Sequence, residues 1–424
     1  MIVWKIIYNT LIVPLLLLLF KAASLVNEKI RRGIRGRASL FPLLEVSMSR
    51  ITSPRRVWFH ASSLGEFEQA KPIITAIKAR YPNVVIIATF FSPSGYDHSR
   101  NYKPADVISY LPFDRNADTQ RFLEIVRPTI AVMVRYDIWP NMVWNLNALS
   151  VPLILANATL KDTSPRLWPG VRQFHRSLYD CFTTILTVSE SDAAAFRRFN
   201  TSAHIEPIGD TRFDQVNIRS KDARHRRLLP DSITKGKKIF IIGQSWPEDE
   251  EVLLPELFRL QEDAADLLAI IVPHEPTEEH LDALEARLSG STSFIRFSEV
   301  GNYANERCII VDSVGVLVPL YQYAHIVYIG GSFRQGIHNV LEPAIFGVPV
   351  IFGPRHTNSQ EAVALASRGG AFVIVDEQTF SQAIRPLLED EERRRGAGEI
   401  ARTFVESNCG ATERCMKYFA AYLP

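Results

Sequence analysis

Short, unbroken apolar runs alternate with stretches of helical length from residue 57 onward. Residues 57–61, 84–89, 107–111, 130–134, 153–156 and 185–188 read as strands. A second series follows at 239–242, 267–272, 308–311, 326–329, 348–352 and 372–375. The runs are apolar throughout rather than alternating, as expected of parallel strands covered on both faces. Strand and helix in alternation predict an α/β fold. Between the series, residues 217–238 break the rhythm, with Arg219, Lys221, Arg224, Arg226 and Arg227 in a polar stretch. That stretch reads as an interdomain segment. The C-terminal end reads as helical, with no strand.

The N-terminus has a different pattern. Residues 11–20 carry no charge, and apolar character extends back to Ile2 with only Lys5 charged. A full span needs about 20 apolar residues, so this is a marginal transmembrane helix or a monotopic one. Lys29, Arg31, Arg32, Arg35 and Arg37 follow. A cleaved signal peptide has its charges before the apolar run, not after. Positive flanks stay in the cytoplasm. The expectation is a helix anchoring the chain to the inner membrane, with the body on the cytoplasmic face. The bland alternative is a buried helix whose arginines form its solvated face.

Composition narrows the picture. A chain of 424 residues suggests two domains. With 46% hydrophobic and 22% charged residues it is globular. A net charge of +2 gives no case for nucleic acid as a partner. Cys181, Cys308, Cys409 and Cys415 form no CxxC pair, so neither a zinc site nor a disulfide framework is indicated. The expected organisation is an anchor and basic collar over 1–37 and a Rossmann-like domain over 38–217. A linker over 218–238, a second Rossmann-like domain over 239–400 and a returning helix over 401–424 complete it. Two Rossmann-like domains facing an interdomain cleft define the GT-B architecture, and the active site is expected in that cleft.

Candidate chemistry gathers where strands end. Residues 326–329 run straight into Gly330-Gly331-Ser332, and a second polar turn carries Gly336, His338 and Asn339 before a helix pattern from Val340. Glycines let the backbone approach a ligand, and a helix start offers unpaired N–H groups, so the stretch reads as a phosphate site. The next strand ends in Gly353-Pro-Arg-His356, so Arg355 reaches the same edge, and Asn358 caps a helix or meets a ligand. Asn339 and Glu342 have the spacing of an N-cap and its partner; the functional alternative sets Glu342 on ribose hydroxyls. Ser245 and His274 follow the first two strands of this series and suit a phosphate or a sugar acid.

In the first series, His60-Ala-Ser-Ser63-Leu-Gly65-Glu66 follows the opening strand. Gly65 allows a sharp turn, and Glu66 stands where either dipole complementation or a general base is served. Asp137, after residues 130–134, orients an acceptor or a cation, or caps the helix near Pro140. Trp139 reads as packing. Arg212 is a candidate phosphate contact or, with Asp214, a surface salt bridge.

These motifs in order resemble Kdo transferase, the 3-deoxy-D-manno-octulosonic acid transferase family of lipopolysaccharide synthesis. They are Ser63-x-Gly65-Glu66, Trp139-Pro140, Asn157-Ala158, Gly209 to Asp214, Gly243-x-Ser245, Gly330-Gly331-Ser332, His338-Asn339-x-x-Glu342 and Gly353-Pro354 with Asn358. The resemblance implies a GT-B fold, CMP-Kdo as donor and a lipid A precursor as acceptor. It implies inverting transfer with no cofactor and no obligatory metal. It puts Glu66 in the general-base position and Gly331, Ser332, Asn339 and Glu342 in the donor site. The chain departs from the family's habit at Arg212, usually lysine, at Pro273-His274-Glu275 in place of Pro-Arg-His, at Gly315-Val316 and at Trp246. The competing readings are another GT-B nucleotide-sugar enzyme, such as a UDP-hexose transferase or UDP-sugar epimerase, and a non-catalytic nucleotide-binding membrane protein. No Gly-x-Gly-x-x-Gly follows a first strand, which argues against a dinucleotide oxidoreductase.

Overall fold

The computed structural model describes residues 2–423. The chain divides into two compact units, Met1–Gln215 with Cys409–Pro424, and Val216–Asn408. The first holds strands β1 (Arg56–Ala61), β2 (Val85–Phe90), β3 (Val107–Tyr110), β4 (Ile130–Val134), β5 (Leu153–Ala158), β6 (Thr184–Thr187) and β7 (His204–Pro207). They form one parallel sheet in the order β3-β2-β1-β4-β5-β6-β7. The chain winds outward from β1 to β3, then returns to β4 beside β1. The ends of β1 and β4 therefore flank the point where strand order reverses, the usual ligand position in open α/β sheets.

The second unit repeats the plan with β8 (Lys238–Ser245), β9 (Leu267–Pro273), β10 (Phe294–Arg296), β11 (Cys308–Ile310), β12 (Ile326–Ile329), β13 (Val350–Phe352) and β14 (Ala371–Val373). Its order is β10-β11-β9-β8-β12-β13-β14, again all parallel. The reversal falls between β8 and β12, so the loops after Ser245 and Ile329 are neighbours. Every predicted strand is present. Two others, β7 and β10, are not expected from the pattern. Both are edge strands; β7 carries the polar His204 and Glu206, and β10 is only three residues long and ends in Arg296, so neither makes an apolar run.

Successive residues of a strand point to opposite faces. Trp58 joins Ile87, Met133 and Leu155 in one core layer, while Phe59 joins Val132 and Ile154 in the other. Cys415, Met416, Phe419 and Leu423 complete that second layer. The buried Phe419 ring faces Phe59 at 6.4 Å, a contribution of roughly 1.5–3 kcal/mol by burial. The polar stretch after Asn217 continues the helix Thr211–Arg224, built from good helix formers such as Arg, Lys and Ala.

Residues Ile2–Val26 form a helix long and apolar enough to cross a membrane by length and composition, with 11% of its apolar window buried. One turn, Tyr8–Ile12, is widened to π geometry just before Pro14. Proline lacks an N–H and crowds the carbonyl four residues back, and a wider turn relieves that crowding. The first half of the helix is docked on its own unit. The Tyr8 hydroxyl donates to Asp114 at 2.8 Å, and Asn9 and Asn141 exchange hydrogen bonds at 2.9 Å. Leu11, Leu15, Leu18 and Leu19 stay exposed. The collar residues lie in the next helix, Glu28–Ala38, and do not share one solvated face. Arg32 and Arg35 are exposed. Arg31 donates to the carbonyls of Ser24 and Leu25, ending the first helix, and Arg37 turns inward.

Candidate functional site

In the first unit, two carboxylates meet at the strand-order reversal. Ser63 ends the loop after β1 in extended conformation, and the helix Leu64–Arg80 begins at once. Glu66 closes a capping box: the Ser63 N–H donates to its Oε2 at 2.9 Å, and the Ser63 hydroxyl lies 3.2 Å away. Glu66 is 6% exposed. Burial raises its carboxyl above the ordinary range; the Ser63 N–H opposes this and the Asp137 charge adds to it. The side chain that caps the helix is therefore also a carboxylate of raised proton affinity.

Asp137 does not cap the helix Pro140–Ala148, whose N-cap is Trp139. Its Oδ2 instead accepts from His60 Nε2 (2.7 Å), the Ser62 hydroxyl (2.5 Å) and Trp139 Nε1 (3.1 Å). Burial works against this carboxylate, yet the His60 hydrogen bond, with those of Ser62 and Trp139, holds it below the usual range. A carboxylate only accepts, so His60 presents an N–H to Asp137 at Nε2. His60 is fully buried, and its Nδ1 faces both the Thr89 hydroxyl at 3.0 Å and the Thr89 carbonyl at 3.2 Å. Trp139 thus has a polar task besides packing. The preceding Arg135 adopts φ +67°, a left-handed backbone, and its buried Nε has no partner among the described residues.

Asn157, with φ +52°, is a buried node. It donates to Gln69 Oε1 (3.1 Å) and Thr211 Oγ1 (2.5 Å), and Thr211 donates to the Gln69 carbonyl. Arg212 pairs with Asp210 at 2.8 Å. Asp214 accepts from the backbone of Gly410 and Thr412 and from the Thr412 hydroxyl, holding the last helix.

In the second unit, the loops after β8 and β12 are locked together by Asp249. It accepts from the Tyr328 hydroxyl (2.7 Å), the Gly331 N–H (2.9 Å) and the Trp246 N–H (2.9 Å). A side chain at Gly330 would place its Cβ 2.1 Å from the Gln244 carbonyl oxygen, and Gly331 has φ +93°. The glycine pair is thus required by close strand-end packing as well as by any ligand. Gly331 already gives its N–H to Asp249, so it is not the open phosphate donor expected from the pattern. Ser332 accepts from the Gly353 N–H at 2.6 Å, and Ser245 donates to Glu250 at 2.8 Å.

Above this frame Trp246, His274 and His338 stack, with centroids 4.6 and 4.5 Å apart. Arg334 lies over the Trp246 ring at 4.1 Å. Burial, helped by His274, pushes the His338 imidazole down to about 4, so it is neutral at pH 7. The Trp246 Nε1–H points at His338 Nε2 (3.3 Å). Indole only donates, so the His338 proton is on Nδ1. The Asn339 side chain accepts from the Leu341 N–H (3.1 Å), and the helix that follows, Leu341–Ile345, has five residues with Val340 as N-cap. The spacing of Asn339 and Glu342 therefore forms no capping box. Glu342 is buried and meets Arg219 at 3.4 Å. Asn358 donates to the Ile337 carbonyl, while Ser359 caps the next helix. Arg355 donates to the Arg334 carbonyl.

His60, Ser62, Asp249 and Arg219 carry these networks, and the sequence alone assigns none of them a place in a site. A polar His60 in an otherwise apolar strand is the one visible signal. The others depend on contacts between distant segments.

A family model described as 3-deoxy-D-manno-octulosonic-acid transferase (kdotransferase) matches residues 34–215. The 3-deoxy-D-manno-octulosonic acid transferase of Haemophilus influenzae is 25% identical over 433 residues, covering 99% of each chain. That of Rickettsia felis is 26% identical, covering 92% of this chain and 82% of its own. Among solved structures, UDP-GlcNAc 2-epimerase from Neisseria meningitidis bound to UDP-GlcNAc superposes with TM-score 0.60 at 14% identity, covering 86% of this chain and all (100%) of its own. UDP-GlcNAc 2-epimerase from Methanocaldococcus jannaschii gives TM-score 0.52 at 15% identity, covering 83% and 99%. The structural likeness concerns the fold, two Rossmann-like domains of the GT-B class.

Proposed function

We propose that this chain, a sequence relative of the Kdo transferases along its length, moves Kdo from CMP-Kdo to a lipid A precursor. The observation that carries the reading is the pairing of Glu66, a buried carboxylate with raised proton affinity, with the family likeness over 99% of the chain. A sugar or lipid hydroxyl is a poor nucleophile until its proton is shared. Glu66 takes that proton as the acceptor oxygen bonds to the anomeric carbon of Kdo. The bond from that carbon to the CMP phosphate oxygen breaks, CMP leaves with the electron pair, and the configuration inverts. Asp137 stays ionised and keeps the proton affinity of Glu66 high. Ser63 and Gly65 shape the turn, and Arg135 and Arg212 meet anionic groups of the acceptor.

The second unit is assigned the donor. Gly330, Gly331 and Ser332 bring the backbone close to CMP-Kdo, and Ser245 and Asn358 fix the neighbouring loops. The His338 Nδ1–H, with His274, Asn339 and Arg355 beside it, suits the phosphate and the sugar carboxylate. Glu342 accepts from the ribose hydroxyls. No cofactor takes part in these steps.

The exposed leucines of the first helix, followed by Lys29, Arg32 and Arg35, support attachment to an anionic inner-membrane surface. Docking of Tyr8 and Asn9 onto the body supports a helix lying in the interface on the cytoplasmic face. The test is donor choice. Purified full-length protein should release CMP from CMP-Kdo only when lipid A precursor is present. Epimerisation of UDP-GlcNAc in place of CMP release would overturn the reading.

A further inference from the structure

One cavity in the first unit lies outside the chemistry described so far. It measures about 150 Å³ and is walled by Phe20, Ile30, Ile34, Phe91 and Phe113, with Arg37 at its side. Phe20 comes from the first helix and the two isoleucines from the helix Glu28–Ala38. Phe91 and Phe113 follow β2 and β3. The Phe20 ring stands 5.6 Å from both. Water is a poor occupant, because a buried water needs two to four polar partners and this wall is almost all carbon.

Two features select among apolar ligands. The first is Arg37. Its guanidinium lies against the Phe91 and Phe113 rings at 4.5 and 4.9 Å and donates to the carbonyls of Leu111, Gly33 and Phe91. Among the described residues no carboxylate pairs with it. Burial lowers its pKa to about 10, so it stays charged at neutral pH. A half-buried cation without a counter-charge favours an occupant that brings an anion. The second is the far face of Phe91. That ring stacks on Trp139 at 4.6 Å, and Trp139 holds Asp137. The Ser92 N–H also donates to the Ser62 carbonyl at 2.9 Å. The cavity wall is therefore one side-chain layer, Trp139, from the Asp137 carboxylate.

We infer that this cavity is an acyl-chain subsite, taking part of one fatty acyl chain of a phosphorylated lipid acceptor whose anionic head balances Arg37. The inference rests on the lipid-acceptor reading above. An apolar cavity of ~150 Å³ holds benzene, so about six chain carbons fit. The same helix exposes Leu15, Leu18 and Leu19, giving the chain an apolar route from the bilayer.

Ile34→Trp fills the cavity. In full-length protein on phosphatidylglycerol–phosphatidylethanolamine vesicles, kcat/KM is compared for a long-chain lipid A precursor and a short-chain analogue with the same phosphates. The long-to-short ratio should fall roughly tenfold, equivalent to losing about two buried methylenes. An unchanged ratio in a variant with wild-type melting behaviour overturns the subsite. Photocrosslinking of the unmodified protein decides independently of how that variant folds. A precursor with a mid-chain diazirine should label peptides containing Phe20, Ile34 or Phe91, and unlabelled precursor should compete. Labelling elsewhere, or equal competition by phosphatidylglycerol, assigns the cavity to bulk lipid or to nothing and refutes the inference. Absence of transfer to either acceptor by the wild type, with labelling intact, would sink the transferase reading instead.

Discussion

Replacing Glu66 with glutamine separates its capping role from the base role proposed for it. The amide oxygen of the substituted glutamine can still accept the Ser63 N–H that Glu66 holds at 2.9 Å, so the helix keeps its cap. Lost are the charge assistance and the favourable meeting of a carboxylate with the helix dipole, together about 0.3–1 kcal/mol. Opposing that loss is relief from burying a carboxylate that burial already disfavours. The net change in stability should lie within about 1 kcal/mol, a melting shift of no more than about 4 °C for a domain of this size. The rate should fall far more. A positioned base contributes about 10²–10⁴, or roughly 2.7–5.4 kcal/mol at 1.36 kcal/mol per decade. CMP release at saturating donor and acceptor measures kcat, and a thermal melt on the same preparation measures folding. A Glu66→Gln enzyme with wild-type melting and more than about a tenth of wild-type kcat would refute the assignment.

Three further outcomes follow from the same contacts. Asp137→Asn removes a like charge beside Glu66, so the acidic limb of the kcat/KM–pH profile should move to lower pH; a limb that stays put or rises contradicts the coupling. Asp114 is pushed up to about 6 by burial, against N–H donors from Asn141 and Met142 and the Tyr8 hydroxyl. The folded state then binds more protons than the unfolded one between about pH 4 and pH 6, so stability falls as pH rises through that window by on the order of 1–3 kcal/mol. Denaturation of wild type and Asp114→Asn across that range should show the slope flattened in the variant. Glu342→Gln should weaken CMP binding by calorimetry by roughly 1.5–3 kcal/mol if Glu342 holds ribose hydroxyls, while a purely structural pairing with Arg219 predicts lost thermal stability with CMP affinity kept.

Legibility in the sequence tracks the range of the interaction. Strands buried on both faces are local apolar runs, and all twelve expected ones are present. The edge strands His204–Pro207 and Phe294–Arg296 owe their pairing to neighbours rather than to their own residues. Glu66 is visible because Ser63 and Gly65 adjoin it. The role of His60 is not, since it depends on Asp137, 77 residues away. Asp249 sits in the first turn of the helix Pro247–Asp263, yet it accepts from Gly331, 82 residues on. Arg37 looks like one more collar charge; only the folded chain turns it against Phe91 and Phe113.

The central claim, that a Kdo unit is moved to a lipid acceptor, is tested most directly by mass spectrometry of the lipid. Full-length protein is incubated with a lipid A precursor, CTP, Kdo and a CMP-Kdo-generating system, beside a Glu66→Gln control. The account predicts lipid heavier by one or more whole Kdo residues with wild type, and unmodified lipid with the control. Lipid of unchanged mass with a well-folded wild-type protein, or equal modification by the control, would contradict it.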